Sequence, residues 1–472
     1  MVSSARAIEM TELSARFDQT TFAPYWLGTI AAPNTNTPQN GELHCDIGIV
    51  GAGFTGLWAA LKARERHPDA RIVVLEARKL AQAASGRTGG FAAPSISHGV
   101  MNAAMRWPRE ADKLIRLGQE NLDQMEEDIA AYRIDAEFER TGKLNIARTP
   151  WEVEGLSGMA DGYKKYGIEC TLLGNTELGE WLGTSRYSAG LFEPNYAYVN
   201  PAKLISGLAK CCLERNIQIF EDSRVGQVRR SADLVRLSTE HGHVLAHKVI
   251  LATNADLPLL RRLRYRIVPI FDYTIMTEPL SDEQLAAIGW QERYGVADSG
   301  NQFHYSRKTA DNRLLWGGYD AVYYSGSNRD DRLLNRNETY ARLEQNLLLT
   351  FPQLADVKFS HAWGGIIDTS ARLTHFVGTA MGGRVAYAAG FTGQGVTATR
   401  FAALSMLDLL YGVRTERTTL RMTRSRPVPF PPEPFRKLAI RWAQADLAKE
   451  DRIGKRSLLL RAMDRIGIGF GS

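Results

Sequence analysis

The chain has 472 residues, 44% apolar and 23% charged, with a net charge of +6. That length exceeds one core of ordinary size, so two or more domains are expected, and no apolar run approaches the roughly 20 residues that cross a bilayer as a helix. Met1–Asp18 carries acidic groups without an apolar signal stretch, and the cysteines Cys45, Cys170, Cys211 and Cys212 form neither a CxxC pair nor a metal-ligand set, so a reduced, cytoplasmic protein without a metal is expected.

Residues 1–42 read as an irregular arm. Ala31–Gly41 (AAPNTNTPQNG) is a loop, and Phe22, Tyr25 and Trp26 before it imply packing onto the body. Cys45–Val50 is a buried strand, followed by the turn Gly51-Ala52-Gly53-Phe54-Thr55-Gly56. A helix then runs to His67, ended by Pro68-Asp69, and a second strand, Ile72–Leu75, stops at Glu76 with Ala77 and Arg78 beside it. This strand–turn–helix–strand unit is the setting in which GxGxxG binds a dinucleotide. Gly51 makes the tight turn, Gly53 admits a pyrophosphate, and Gly56 lets helix and strand pack closely. The helix N-terminus offers free N–H groups to phosphate. Glu76, 20 positions after Gly56, accepts from both ribose hydroxyls and would repel the 2′-phosphate of NADP. The motif by itself does not separate NAD from FAD.

Beyond it, 102–132 reads as helix, 144–193 as mixed, and 202–215 as helix. Strands are expected at 217–220, 224–229, 235–239 and 249–252, followed by a β-rich stretch over 267–318. A helix over 340–349 ends before Pro352. The last strand, Arg384–Ala389, leads into Gly390-Phe391-Thr392-Gly393-Gln394-Gly395 and a helix over 397–410. No internal repeat is visible. Pro427–Pro434 is a stiff connector to an amphipathic, helical tail. Residues 413–472 hold 14 Lys/Arg and 6 Asp/Glu, a net of +8, which leaves −2 for the rest. That tail reads either as a solvated face or as a contact for an anionic membrane or acidic partner. No nucleic-acid motif accompanies the charge.

The segment Ala84-Ser85-Gly86-Arg87-Thr88-Gly89-Gly90, together with Gly51–Gly56, resembles the glycine oxidase, sarcosine oxidase and D-amino-acid oxidase superfamily of FAD enzymes. Within it the chain is similar to the γ-glutamylputrescine oxidoreductase-like branch. Thr253-Asn254-Ala255, Trp363-Gly364-Gly365, Gly390–Val396 and the Pro-rich tail extend the resemblance over nearly the whole chain. It implies an α/β fold. A Rossmann-like FAD domain would come from about 43–100, 195–260 and 360–412, and an antiparallel-sheet substrate domain from about 101–194 and 261–359, with the basic tail at 413–472. It also implies hydride transfer from the carbon bearing nitrogen to flavin N5, so no catalytic triad or metal is assigned. Ser85 and Arg87 would reach phosphate or ribityl oxygens, and Val225 would meet the adenine side. Gly393-Gln394-Gly395-Val396-Thr397, opening a helix, would stabilise negative charge at the flavin pyrimidine. No cysteine lies in that loop, so FAD is expected to be non-covalent.

The chain departs from that family in two places. Trp363–Gly378 (WGGIIDTSARLTHFVG) matches a segment whose arginine clamps the substrate carboxylate, but Ile367 and Asp368 stand where arginine and proline are expected. An amine is therefore expected rather than an α-amino acid, with Asp368 as a partner for a cationic group. Arg307 is either a carboxylate clamp from another wall, as an amino-acid or N-substituted glycine oxidase would need, or a structural ion pair. Further wall candidates are Phe91, Tyr273, Tyr305 and Trp363; His98, His304 and His375 are read as structural or wall residues. The strand Arg313–Gly318 lacks the lysine that sarcosine oxidases hold against the flavin. The electron acceptor is accordingly oxygen or another molecule, including a membrane quinone reached through the tail. Deleting Pro427–Ser472 is expected to leave soluble turnover intact unless that last reading holds.

Overall fold

The computed structural model describes residues 12–31, 37–465 and 467–469. Ile47–Val50, Ile72–Leu75 and Val249–Leu251 are apolar without interruption, as strands covered on both faces are, and they form the middle of a parallel sheet. Gly41–Val50 lies between Ile72–Leu75 and Gly242–Leu251. Gln218–Phe220 lies beyond the first of these, and Val385–Ala389 beyond the C-terminal half of the second. The N-terminal half of Gly242–Leu251 pairs antiparallel with Leu234–Ser238, which pairs with Gln227–Ser231. Helices Phe54–Arg66, Pro201–Glu214 and Gly395–Leu410 cover one face of the sheet.

A second sheet of eight strands runs in the order Phe359–Thr369, Val268–Thr277, Leu314–Gly318, His304–Lys308, Gly295–Asp298, Lys143–Ala147, Ala189–Glu193, Thr171–Leu173. Neighbours are antiparallel except Gly295–Asp298 with Lys143–Ala147. Period-2 alternation gives it two faces. Leu144, Ile146, Phe271, Tyr273 and Ile275 build a core on one side, while Lys143, Asn145, Ile270, Asp272 and Thr274 border a cavity on the other.

Three expectations are corrected here. Residues 360–369, placed at the start of a flavin-domain segment, belong to Phe359–Thr369, an edge strand of the second sheet hydrogen-bonded along Val268–Thr277. The helix expected over 102–132 is two, Val100–Arg106 and Ala111–Ala131, because Pro108 removes an N–H and disfavours helix at Trp107. The second of them packs Leu122, Met125 and Ile129 into the core of the parallel-sheet side.

The third concerns the tail, which is not a solvated appendage. Its helix Phe435–Ile453 buries Arg436, Ile440, Ala443 and Leu447. The Asp451 carboxylate accepts from the backbone N–H of Asn301 and Gln302, each at 2.8 Å. The opposite side leaves Phe435, Leu438 and Trp442 exposed. Among the described residues no helix is long and apolar enough to cross a membrane.

The N-terminal arm packs as its aromatics imply. Thr21 pairs with the strand at His361, the Phe17 ring lies 4.6 Å from that of Phe359, and fully buried Trp26 donates Nε1–H to the Thr88 carbonyl at 3.0 Å. Phe22 remains 43% exposed.

Candidate active site

The two sheets enclose a cavity of about 1120 Å³, larger than the roughly 300–1,000 Å³ of a typical small-ligand pocket. One end is built from the carboxyl ends of the parallel strands. The helix Phe54–Arg66 begins at Gly53, which has no side chain to cap it, so N–H groups of its first turn other than that of Phe54 are open to an anion. At Gly56 a Cβ would run into the Gly51 carbonyl, which is the close helix–strand approach expected of the third glycine. Glu76 is half-buried at the cavity wall; its carboxylate accepts from Ala52 N at 2.7 Å and Arg78 N at 3.0 Å, and desolvation raises its pKa. Val225, Thr253 and Asn254 border this end, as do Gly51, Gly53, Phe54, Thr55, Ala77, Arg78 and Ala84. The Arg78 guanidinium is itself paired with Asp331 at 2.6 and 2.9 Å. Ser85 Oγ accepts from Phe54 N at 3.2 Å, which ties the second glycine segment to the first.

Further along, Gly393, Gln394, Gly395 and Val396 border the cavity at the start of the helix Gly395–Leu410. That helix also lacks a side-chain cap, and Gln394 Oε1 is buried without a hydrogen-bond partner. Uncapped helix N-termini at both ends, a half-buried carboxylate at ribose distance along the chain and this unpaired amide oxygen fit a bound dinucleotide. Gly56, Gly86, Gly90, Gly390 and Thr397 lie behind the lining rather than on it, Thr397 donating to the Ala93 carbonyl at 2.7 Å. Arg87 borders the cavity, but its guanidinium donates to the carbonyls of Gln82 and Gly364, both at 2.8 Å. Trp363 Nε1 donates back to the Arg87 carbonyl at 2.9 Å. Arg87 thus fastens the glycine segment to the second sheet instead of reaching for phosphate.

Near that junction Tyr305, Trp363 and Gly365 of the second sheet border the cavity, together with Gly89 and Phe91 from the end of the glycine segment. The Phe91 and Tyr305 rings meet edge-on at 5.6 Å. Tyr305 donates to the Asp272 carboxylate at 2.7 Å and lies 3.0 Å from Thr274 Oγ1. Burial pushes the Asp272 pKa up to about 6. Neither Asp272 nor Thr274 is singled out by the sequence, although the alternation of Val268–Thr277 carries the signal. Once Phe271, Tyr273 and Ile275 are core, Ile270, Asp272 and Thr274 must face the other way.

Tyr273, an expected wall residue, therefore points into the core, its hydroxyl donating to the Leu333 carbonyl at 2.6 Å. Arg307 is a second correction. It is 2% exposed, is not part of the lining, and donates Nη1–H to the carbonyl of Val199 at 2.9 Å and more distantly to those of Gly89 and Gly90. Its guanidinium lies 5.0 Å from the Tyr198 ring and 5.5 Å from that of Trp26, and burial lowers its pKa to about 10. It is neither a clamp nor half of an ion pair. Asp368 is a third correction. Its carboxylate caps the Gly390 turn, accepting from Gly390 N at 2.5 Å and Phe391 N at 3.0 Å, with burial raising its pKa to about 7. Both oxygens are committed before an amine arrives.

The histidines divide. His304 is stacked against Trp316 and Tyr319 and joined to Asn346, whereas His375 stacks on Phe391; burial drops both to about 3. His98 borders the cavity with Nδ1 on the Leu373 carbonyl at 2.9 Å, at about 4 because it too is buried. The tail contributes Phe430, Ile440, Gln444 and Leu447 to the cavity wall.

Comparison with known proteins agrees with this architecture. A family profile described as FAD dependent oxidoreductase matches residues 46–409. The chain is 31% identical to γ-glutamylputrescine oxidoreductase of Escherichia coli K12 over 79% of this chain and 85% of that one. It is also 31% identical to a probable oxidoreductase, OrdL, of Haemophilus influenzae over 78% and 83% of the two chains. Among solved structures, glycine oxidase from Geobacillus kaustophilus superposes with a TM-score of 0.69 at 18% identity, over 82% of this chain and all of that one. L-proline dehydrogenase from P. horikoshii superposes with a TM-score of 0.65 at 17% identity, over 80% and 95%.

Proposed function

The chain belongs to the family of FAD-dependent oxidoreductases, and we propose that within it the protein oxidises the C–N bond of a small primary or secondary amine, giving an imine that water hydrolyses. The reading rests on the surroundings of Asp272. This half-buried carboxylate faces the cavity beside Tyr305, and the arginines bordering the cavity are occupied, Arg78 by Asp331, Arg87 by carbonyls and Arg224 by Asp256 at 2.9 Å. Among the described residues no arginine is left there to hold an α-carboxylate, whereas an ammonium meets a carboxylate of opposite charge. The relative of E. coli named γ-glutamylputrescine oxidoreductase supports an amine as the substrate class.

Gly51–Gly56, Glu76, Ser85 and Gly393–Val396 would hold FAD without a covalent bond. Bound there, FAD supplies the hydride acceptor. The protein's own part is orientation and proton handling. An aliphatic amine arrives as ammonium at neutral pH, and its lone pair is needed before a C–H hydride can leave. The Asp272 carboxylate, titrating near 6, takes that proton while Tyr305 and Thr274 fix its direction. Trp363 and Phe91 border the space where the C–H bond is presented.

The test is a visible spectrum of the FAD-loaded protein, followed anaerobically as amines and amino acids are added. Bleaching by mono-acylated putrescine and not by glycine or sarcosine is expected; the reverse pattern overturns the reading. Readmitting air distinguishes oxidase from dehydrogenase by the speed of recolouring.

A second reading draws on the tail, whose helix shows Phe435, Leu438 and Trp442 on its outer side among Lys437, Arg441 and Lys449. That combination suits an anionic lipid surface, and electrons would then pass to a membrane acceptor. Co-sedimentation with phosphatidylglycerol vesicles, lost in Trp442→Ser and at high salt, is expected; equal recovery with neutral vesicles contradicts it.

A further inference from the structure

We propose that Lys143, backed by Glu193, anchors a carboxylate at the end of an elongated amine substrate remote from the C–N bond that is oxidised. The inference rests on the amine-oxidising reading above and adds a substrate class to it.

Lys143 and Glu193 are direct cross-strand partners at the ends of Lys143–Ala147 and Ala189–Glu193. Both border the cavity. Leu144 and Ile146 belong to the core behind the sheet, so alternation aims Lys143 and Asn145 into the space. Lys143 is enclosed deep in the protein yet keeps part of its surface open to the cavity. Among the described residues its ammonium has no hydrogen-bond partner and no carboxylate within ion-pair distance; its nearest defined contact is the Tyr196 ring at 5.5 Å. Glu193 is 7% exposed and accepts from Tyr163 OH at 3.2 Å. Burial lowers the Lys143 pKa and raises that of Glu193 to about 7, so neither charge is fully compensated by the other.

A buried cation of this kind is completed by an incoming anion. With Glu193 on the adjoining strand, a singly charged carboxylate suits the site better than a dianion such as phosphate, which the glutamate would repel. The placement sets the substrate's length. Tyr305, whose hydroxyl meets the Asp272 carboxylate, stands two strands from Lys143 and Asp272 itself four, so the two ends are at least roughly 10 Å apart at about 4.8 Å per strand. An α-carboxylate, one bond from the reacting carbon, cannot span that. A carboxylate at the far end of a chain can, and Met101, Leu156 and Met159 supply an apolar wall for the intervening methylenes.

The test uses the FAD-loaded full chain and two amines of nearly equal shape, 1,4-diaminobutane acylated on one nitrogen with succinate or with propionate. Only the first carries a terminal carboxylate. Wild type is expected to reduce its flavin with the succinyl compound at least about tenfold more efficiently, chiefly through KM. Lys143→Gln should erase the preference and Lys143→Arg retain most of it. Calorimetric binding of hexanoate, which cannot be oxidised, should weaken by a similar factor in Lys143→Gln. Equal efficiency with the two amines in wild type overturns the subsite, needs no variant, and leaves amine oxidation standing. If neither amine reduces the flavin while hexanoate binding still depends on Lys143, the amine reading fails and the anionic subsite survives.

Discussion

Asp272 and Arg307 show how burial decides the use of a charged side chain. Arg307 is enclosed by two aromatic rings and three carbonyl groups and does not border the cavity. Asp272 is half-buried and borders open space, with Tyr305 as a donor. Its pKa, raised to about 6 by burial, gives a signed prediction for the proton-transfer role. The carboxylate serves as base only when ionised, so kcat/KM should fall as pH drops through about 6. Asp272→Asn should remove that acidic limb and lower kcat/KM by about 10²-fold. A pH profile of flavin reduction in both proteins checks this, and a limb that persists in the variant assigns it to another group.

At the scale of elements, the cavity keeps its shape because two connections that border it, after Val385–Ala389 and after Gly242–Leu251, are pinned to one carboxylate. Asp368, at the end of the edge strand Phe359–Thr369, holds the turn after Val385–Ala389 by accepting from Gly390 N and Phe391 N. Asn254, with its amide nitrogen turned toward Asp368 Oδ1 at 3.0 Å, joins the turn after Gly242–Leu251 to the same carboxylate. In Asp368→Asn an NH₂ must face one of these donors, which leaves a buried N–H unpaired at a cost of about 1–3 kcal/mol. The expected outcome is weaker FAD retention and a lower Tm, measured by flavin release on dilution and by thermal unfolding with and without added FAD. Unchanged retention would show that the turn keeps its shape without this carboxylate. The strand Val268–Thr277 teaches a related point. Its β character is legible from composition, but which of its residues face substrate depends on register, and a shift of one exchanges Tyr273 for Asp272.

At the scale of the whole molecule, the tail changes meaning once it is seen in place. Composition alone makes it a basic appendage whose loss costs nothing in solution. In the fold, Phe430, Ile440, Gln444 and Leu447 wall the cavity, and Asp451 satisfies two backbone N–H groups of the loop after Gly295–Asp298. Removing residues 427–472 should therefore lower Tm and raise KM for the amine even without membranes. Thermal unfolding and steady-state kinetics of the truncated chain check this; wild-type values for both would return the tail to the status of an appendage.

The sequence by itself determined the dinucleotide end. The turn Gly51–Gly56, its flanking strands and Glu76 lie within one short βαβ unit, so local spacing fixes their geometry before the rest of the chain is placed. The strand and helix around Gly390–Gln394 were legible for the same reason. The substrate side was decided only by tertiary structure. Asp272, Tyr305, Lys143 and Glu193 come from strands far apart in the chain, and each side chain's exposure to the cavity depends on sheet order, register and what covers the other face. Trp26, Val199 and the carbonyls around Arg307 are also distant in sequence, and nothing local marks that arginine as sealed inside the protein. Local rules shape the glycine turn and the start of its helix; only the assembled sheets decide which charges face the cavity.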